Sequence, residues 1–108
     1  MKLSELKTKL CARELYMPDP KREADGGYCG DFLSFVMQRA PENSVWFTVM
    51  TNVNVAAVAS LTGVAAVVVC ESSKCDAQLV ERIKKTEVAL FETDLDIFGA
   101  VKAFLGVE

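Results

Sequence analysis

Apolar positions in this chain fall into short runs separated by polar breaks, and their period changes along the sequence. Leu3, Leu6 and Leu10 recur at helical spacing, so residues 3–10 read as a short helix. Cys11 to Met17 alternates loosely and reads as a first strand. Pro18 to Asp25 is a charged, proline-bearing loop, expected to be exposed and mobile. Gly27 to Cys29 reads as a short extended piece that feeds a helix from Asp31 to Arg39, with a turn over Pro41 to Ser44.

The second half repeats one unit more clearly. Val45–Met50 is rich in aromatic and β-branched residues and predicts a strand, followed by an Ala/Val helix over 54–61. Thr62-Gly63 closes that helix, glycine being suited to the left-handed residue after a helix end. Val64–Cys70 is continuously apolar, as expected of a strand buried on both faces. A helix over 75–86 places Leu79, Val80 and Ile83 on one face and pairs Glu81 with Lys85 on the other. Val88–Phe91 is the last strand. Thr93 or Asp94 is the expected cap of a final helix whose Leu95, Phe98, Val101 and Leu105 face inward, and Gly106 ends it.

Strand–helix alternation with short connections implies parallel strands joined by crossovers, hence an α/β domain. The pattern predicts a mostly parallel or mixed sheet of about five strands, the first two free to run antiparallel to the rest. At 108 residues the chain reads as a single domain over 1–108.

Charge narrows the function. The net charge is −3, and the acidic excess lies in the second half. No cluster of Lys or Arg is large enough to neutralise several phosphates, so neither nucleic acid nor another polyanion is an expected partner. Asn43 to Cys70 carries no charge and invites a membrane reading, but Thr48, Thr51, Asn52, Asn54, Ser60, Thr62 and Gly63 interrupt it at turn-like places. It reads as core, not a membrane span. The polar start, Met1-Lys2-Leu3-Ser4-Glu5, has no apolar signal region, which predicts a cytoplasmic protein with reduced cysteines.

There is no histidine, which removes Ser-His-Asp and Cys-His nucleophilic sites and HExxH zinc sites. Cys70 and Cys75 form C-x4-C, wider than zinc or thioredoxin spacing, so no metal site is assigned and no cofactor is expected. Trp46 and Phe47 read as core or dimer residues rather than a base-stacking platform.

The sequence resembles the DRTGG domain family from about Ala12 to Gly106. The resemblance is carried by Gly26-Gly27-Tyr28 with Asp31, Leu33, Ser34 and Met37; by Asn52, Asn54, Val55, Ala57, Val58 and Ala59; and by Thr93-Asp94-Leu95. Domains of this family occur in phosphotransacetylases and in CBS-containing pyrophosphatases, and are similar to the N-terminal domain of HPr kinase. The resemblance implies a three-layer α/β/α regulatory module, often at a dimer contact, without catalysis of its own. The family's name-giving pentad falls on Glu23-Ala24-Asp25-Gly26-Gly27, so only its glycines match. No phosphate-binding G-x-x-x-x-G-K-[ST] loop occurs.

The candidate ligand-binding set is Gly26, Gly27, Gly30, Asp31, Thr51, Asn52, Asn54, Thr93 and Asp94. If the later strands are parallel, their carboxyl ends form one rim where helix starts offer unpaired N–H groups. Asp31 has two readings, a ligand contact or the cap of its own helix. Asn52 and Asn54 either meet a ligand or fold back as Asx-turns. Asp31, Glu71, Glu92 and Asp94 make the local field negative, which predicts weak nucleotide binding unless a cation or a partner's Lys or Arg accompanies the phosphates. The expected function is a non-catalytic, ligand-sensing or protein-interaction module that associates with itself or a partner protein. The alternative is a small enzyme or metal-binding accessory protein using Cys29 and Asp31.

Overall fold

From residue 27 onward strand and helix alternate strictly, and the computed structural model, which describes residues 1–107, shows what this does to the sheet. A 3-10 turn (Leu3–Glu5) runs into α1 (Leu6–Lys9) and then β1 (Ala12–Tyr16). There follow β2 (Gly27–Cys29), α2 (Leu33–Arg39), β3 (Val45–Thr48), α3 (Asn54–Thr62), β4 (Ala66–Val69), α4 (Ala77–Ile83), β5 (Ala89–Thr93) and α5 (Ile97–Leu105). The five strands lie in the order β1-β5-β4-β3-β2.

β2 to β5 are mutually parallel, and only β1 runs antiparallel, paired with β5. The freedom allowed to the first two strands therefore applies to β1 alone. β2 is followed by a crossover helix, which returns the chain to the same end of the sheet; β1 has none. The sheet steps in one direction from β2 to β5, so a fixed crossover hand sends α2, α3 and α4 to one face. The 3-10 turn, α1 and α5 cover the other, which makes the three α/β/α layers.

Alternation along the strands divides the core. Trp46, Val67, Val69 and Leu90 meet Val36, Val55, Ala59, Leu79 and Ile83 on the face of α2, α3 and α4. Phe47, Val68 and Phe91 meet Leu3, Leu6, Leu10, Ala100 and Phe104 on the other. The two strands of the uncharged stretch are thus interior, with every residue of β3 and β4 buried, while α3 between them exposes Asn54, Ala57, Ser60 and Leu61. No helix among the described residues is long and apolar enough to cross a membrane.

Several local expectations need correction, each for a physical reason. β3 stops at Thr48 because the Val49 N–H is given to the Asp31 carboxylate instead of a neighbouring strand. β5 runs two residues further than its apolar run, because β1 pairs Arg13 with Glu92 and Ala12 with Thr93. The cap of α5 is Asp96, whose carboxylate accepts the Gly99 N–H at 2.6 Å; Thr93 is still in the strand and Asp94 in the turn. That start makes Ala100 and Phe104 the buried positions; Leu95 and Val101 pack partly against the same core as expected, whereas Phe98 and Leu105 are 75% and 64% exposed.

Glu81 and Lys85 are both exposed and form no ion pair among the described residues. The Pro18–Asp25 loop is pinned: Arg22 donates to Asn43 Oδ1 and to the carbonyls of Glu87 and Gly63, and Leu3 N–H bonds the Arg22 carbonyl. Gly63 and Gly106 end their helices at φ 77° and 74°, as their positions predict.

Candidate functional site

Four parallel strands bring their carboxyl ends to one edge, and the loops that follow them interlock there. Asp31, after β2, uses Oδ1 to accept the Thr48 hydroxyl at 2.6 Å and the Val49 N–H at 2.9 Å. The loop after β4 is tied on both sides. Asp76 N–H bonds the Thr51 carbonyl after β3, while Glu71 and Ser72 N–H bond the Leu95 and Thr93 carbonyls around the end of β5. Glu71 and Ser72 take left-handed φ values of 66° and 59°, conformations that cost non-glycine residues energy and persist only when neighbours enforce them.

These bonds decide what remains for a ligand. Asp31 does not cap α2, which begins after Phe32 without a side-chain cap; its carboxylate is a tie between loops. Thr93 is fully buried, donates to the Leu10 carbonyl at 2.7 Å and accepts from Leu95 N–H. Asp94 accepts from the Ser72 hydroxyl and lies 3.6 Å from the Arg13 guanidinium. Asn52 folds back as an Asx-turn, its Oδ1 accepting the Asn54 N–H at 2.9 Å, which leaves its amide NH2. The exposed Asn54 side chain and the half-exposed Thr51 side chain stand beside it at the start of α3.

Gly30 belongs to the rim, but Gly26 and Gly27 lie at the amino end of β2, on the opposite side of the sheet. Gly26 has φ 71°, so it fits the turn. Gly27 packs tightly: a Cβ there would approach the Phe47 ring and the Val45 carbonyl to 3.3 Å, so these neighbours would have to give way slightly. Both line a cavity of about 200 Å³ with Cys29, Phe47, Val101, Phe104 and Leu105.

One acid expected to charge the rim is instead buried and paired. Glu92 is 6% exposed and accepts from Arg13 Nε at 3.2 Å and Cys75 N–H at 2.7 Å. Burial pushes its carboxyl up, but the Cys75 N–H and the Arg13 guanidinium outweigh this and hold it below the ordinary carboxylate value. A glutamate directly after the apolar Val88–Phe91 run was the available signal, since a charge in a buried strand needs a partner.

Cys29, Cys70 and Cys75 are held in their neutral forms. Partial burial and the Asp31 charge push Cys29 up. Burial, with Cys29 and Glu71 nearby, pushes Cys70 up to about 12, and burial beside Glu92 does the same to Cys75. A thiol next to a carboxylate and without a base is a poor nucleophile. Among the described residues no group of three or more Cys, Asp or Glu side chains is placed to hold a metal ion.

The sequence matches no established family profile and no curated protein. Its fold does have a solved counterpart. The crystal structure of the CBS and DRTGG domains of the regulatory region of Clostridium perfringens pyrophosphatase, complexed with the activator diadenosine tetraphosphate, superposes with a TM-score of 0.82 at 14% identity. The similarity covers 96% of this chain and 46% of that one, so this chain spans about half its length. In architecture, strand order and layering, the chain has a DRTGG-like fold.

Proposed function

We propose that residues 1–108 form one non-catalytic regulatory unit of the cytosol, which senses a small ligand at the carboxyl-end rim and associates with a second copy or a partner protein. The observation that carries this reading is the state of the rim. Asp31, Asp94 and Thr93 are engaged in holding loops together, whereas the Asn52 amide, Asn54 and Thr51 remain as uncharged polar groups at a helix start. Such groups can orient a ligand but cannot transfer a proton or attack a bond.

The nucleotide activator held by the Clostridium perfringens regulatory region supports a nucleotide as the ligand class. Asp31, Glu71 and Asp94 lie on the same rim, so a polyphosphate binds weakly unless a cation accompanies it. Gly30, where a Cβ would meet the Tyr28 ring at 3.1 Å, keeps the loop after β2 close to that rim, and Gly26 and Gly27 support the strand from its other end.

Calorimetry with AMP and ATP, with and without magnesium, tests the proposal on the wild type and on Asn52→Ala/Asn54→Ala. Weak binding that magnesium strengthens and the double substitution abolishes is the expected result. Tight, magnesium-independent binding that survives the substitutions would move the site elsewhere. The enzyme alternative predicts rapid, selective alkylation of Cys29 at neutral pH, and its raised pKa argues against that outcome.

A further inference from the structure

We infer that two copies of this chain join along the free edge of β2, antiparallel, about a two-fold axis through Tyr28. This rests on the self-association proposed above and specifies its surface.

β2 is the last strand of the sheet and is paired on one side only, with β3. The Gly26 carbonyl accepts from Val45 N–H at 3.0 Å, and Gly30 N–H donates to the Phe47 carbonyl at 3.2 Å. Alternate residues of a strand face the same neighbour, so residues 26, 28 and 30 are committed to β3. Gly27 and Cys29, both exposed, turn their N–H and C=O groups to the open side.

The two ends of the sheet are treated differently. At the β1 edge, Arg13 and Glu14 are exposed charges and the register shifts between Glu14 and Tyr16, devices that discourage pairing with another chain. β2 has neither charge nor bulge within it.

A second copy fits because the edge is complementary to itself. With Tyr28 opposite Tyr28 of the second copy, Gly27 falls opposite Cys29 and Cys29 opposite Gly27. Both are then hydrogen-bonded positions, and every outward donor and acceptor is matched. An axis perpendicular to the sheet also sets α2 against α2 and α5 against α5. On these flanks α2 carries Phe32 and Phe35, 62% and 46% exposed with ring centroids 5.0 Å apart, and α5 carries Leu105, 64% exposed beside the cavity behind Gly27 and Cys29. A stable interface covers roughly 800 Å² per partner. A strand of three residues cannot supply that, and these two flanks add the remainder.

The same register brings Asp25 opposite Asp31 of the second copy. Like charges at the ends of the pairing make the association stronger as salt rises, the reverse of an interface held by ion pairs.

Sedimentation velocity at low and high sodium chloride, on wild type and Cys29→Pro, tests the inference. Proline at 29 removes an outward N–H without touching the ladder to β3. The expected result is a dimer favoured by salt and weakened at least roughly tenfold by Cys29→Pro. Tyr28→Cys, in a Cys11→Ser/Cys29→Ser background, adds a readout that does not depend on the proline variant folding. Opposed non-hydrogen-bonded residues have Cα atoms about 4.5 Å apart, within disulfide reach, so mild oxidation of dilute protein gives a 28–28 linked dimer. A dimer indifferent to Cys29→Pro and without that disulfide overturns the edge pairing and leaves self-association standing. A strict monomer across micromolar concentrations overturns both.

Discussion

The Asp31 carboxylate accepts the hydroxyl proton of the buried Thr48 at 2.6 Å, fastening the loop after β2 to the end of β3. Asp31→Ala leaves that hydroxyl and the Val49 N–H without their acceptor, and the expected cost is about 1–3 kcal/mol. Adding Thr48→Val removes one of the orphaned groups, so the two substitutions are expected to be non-additive by at least roughly 0.5 kcal/mol. Urea denaturation of the four forms measures this. Additive effects would mean that the bond does not form in solution.

Glu92 sets an acid limit on stability. Its folded-state pKa is depressed, so its contribution is complete above the unfolded value of roughly 4.3 and is lost as pH falls through the folded value. Glu92→Gln cannot ionise and keeps only one acceptor for Arg13 and the Cys75 N–H. The expected outcome at neutral pH is a loss of about 1–3 kcal/mol, with a shallower decline than wild type below that carboxylate value. Thermal melts from neutral to acidic pH report both effects, and parallel acid profiles would remove Glu92 from the account.

The cysteines separate by access and by charge state. With pKa values pushed up to about 12, Cys70 and Cys75 are thiolate in only on the order of one molecule in 100,000 at pH 7. Iodoacetamide at neutral pH is expected to label the exposed Cys11 and Cys29, Cys29 slowly, and to spare Cys70 and Cys75 until the protein is unfolded. Mass spectrometry of timed samples gives the order, and fast native labelling of Cys75 would contradict the Glu92 contact.

Two phenylalanines on α5 should differ widely. Phe98 is 75% exposed, whereas Phe104 is 9% exposed with its ring 5.5 Å from that of Phe47. Phe104→Ala is expected to cost about 3–5 kcal/mol and Phe98→Ala less than about 0.5 kcal/mol. Comparable losses in denaturant titrations would restore the inward face that the sequence pattern suggested.

That contrast shows what periodicity can and cannot decide. Val64–Cys70 was legible because an unbroken apolar run has one cheap destination, the middle of a parallel sheet. Gly63 and Gly106 were legible because few residues tolerate the φ they adopt. α5 carries few polar residues, so its periodicity caught Val101 but also drew in Phe98 and Leu105, which its start at Asp96 turns outward. β2 is too short to carry a direction, and its direction follows from the crossover after it. At the rim, Asp31 reads identically from sequence whether it caps its own helix or reaches Thr48. The Arg13–Glu92 pair joins strands far apart in the chain, and no local spacing announces it.

The antiparallel β1 also imposes an order of events on folding. Its partner is β5, and the Thr93 hydroxyl closes on the Leu10 carbonyl across 83 residues. During synthesis β1 emerges before β5 and can be zipped into the sheet only after β5 has left the ribosome. The units from β2 to β4 can begin to assemble in sequence as they appear, each against its immediate predecessor. Closure by β1 is therefore the pairing of highest contact order in the sheet, and until it forms one side of β5 stays uncovered.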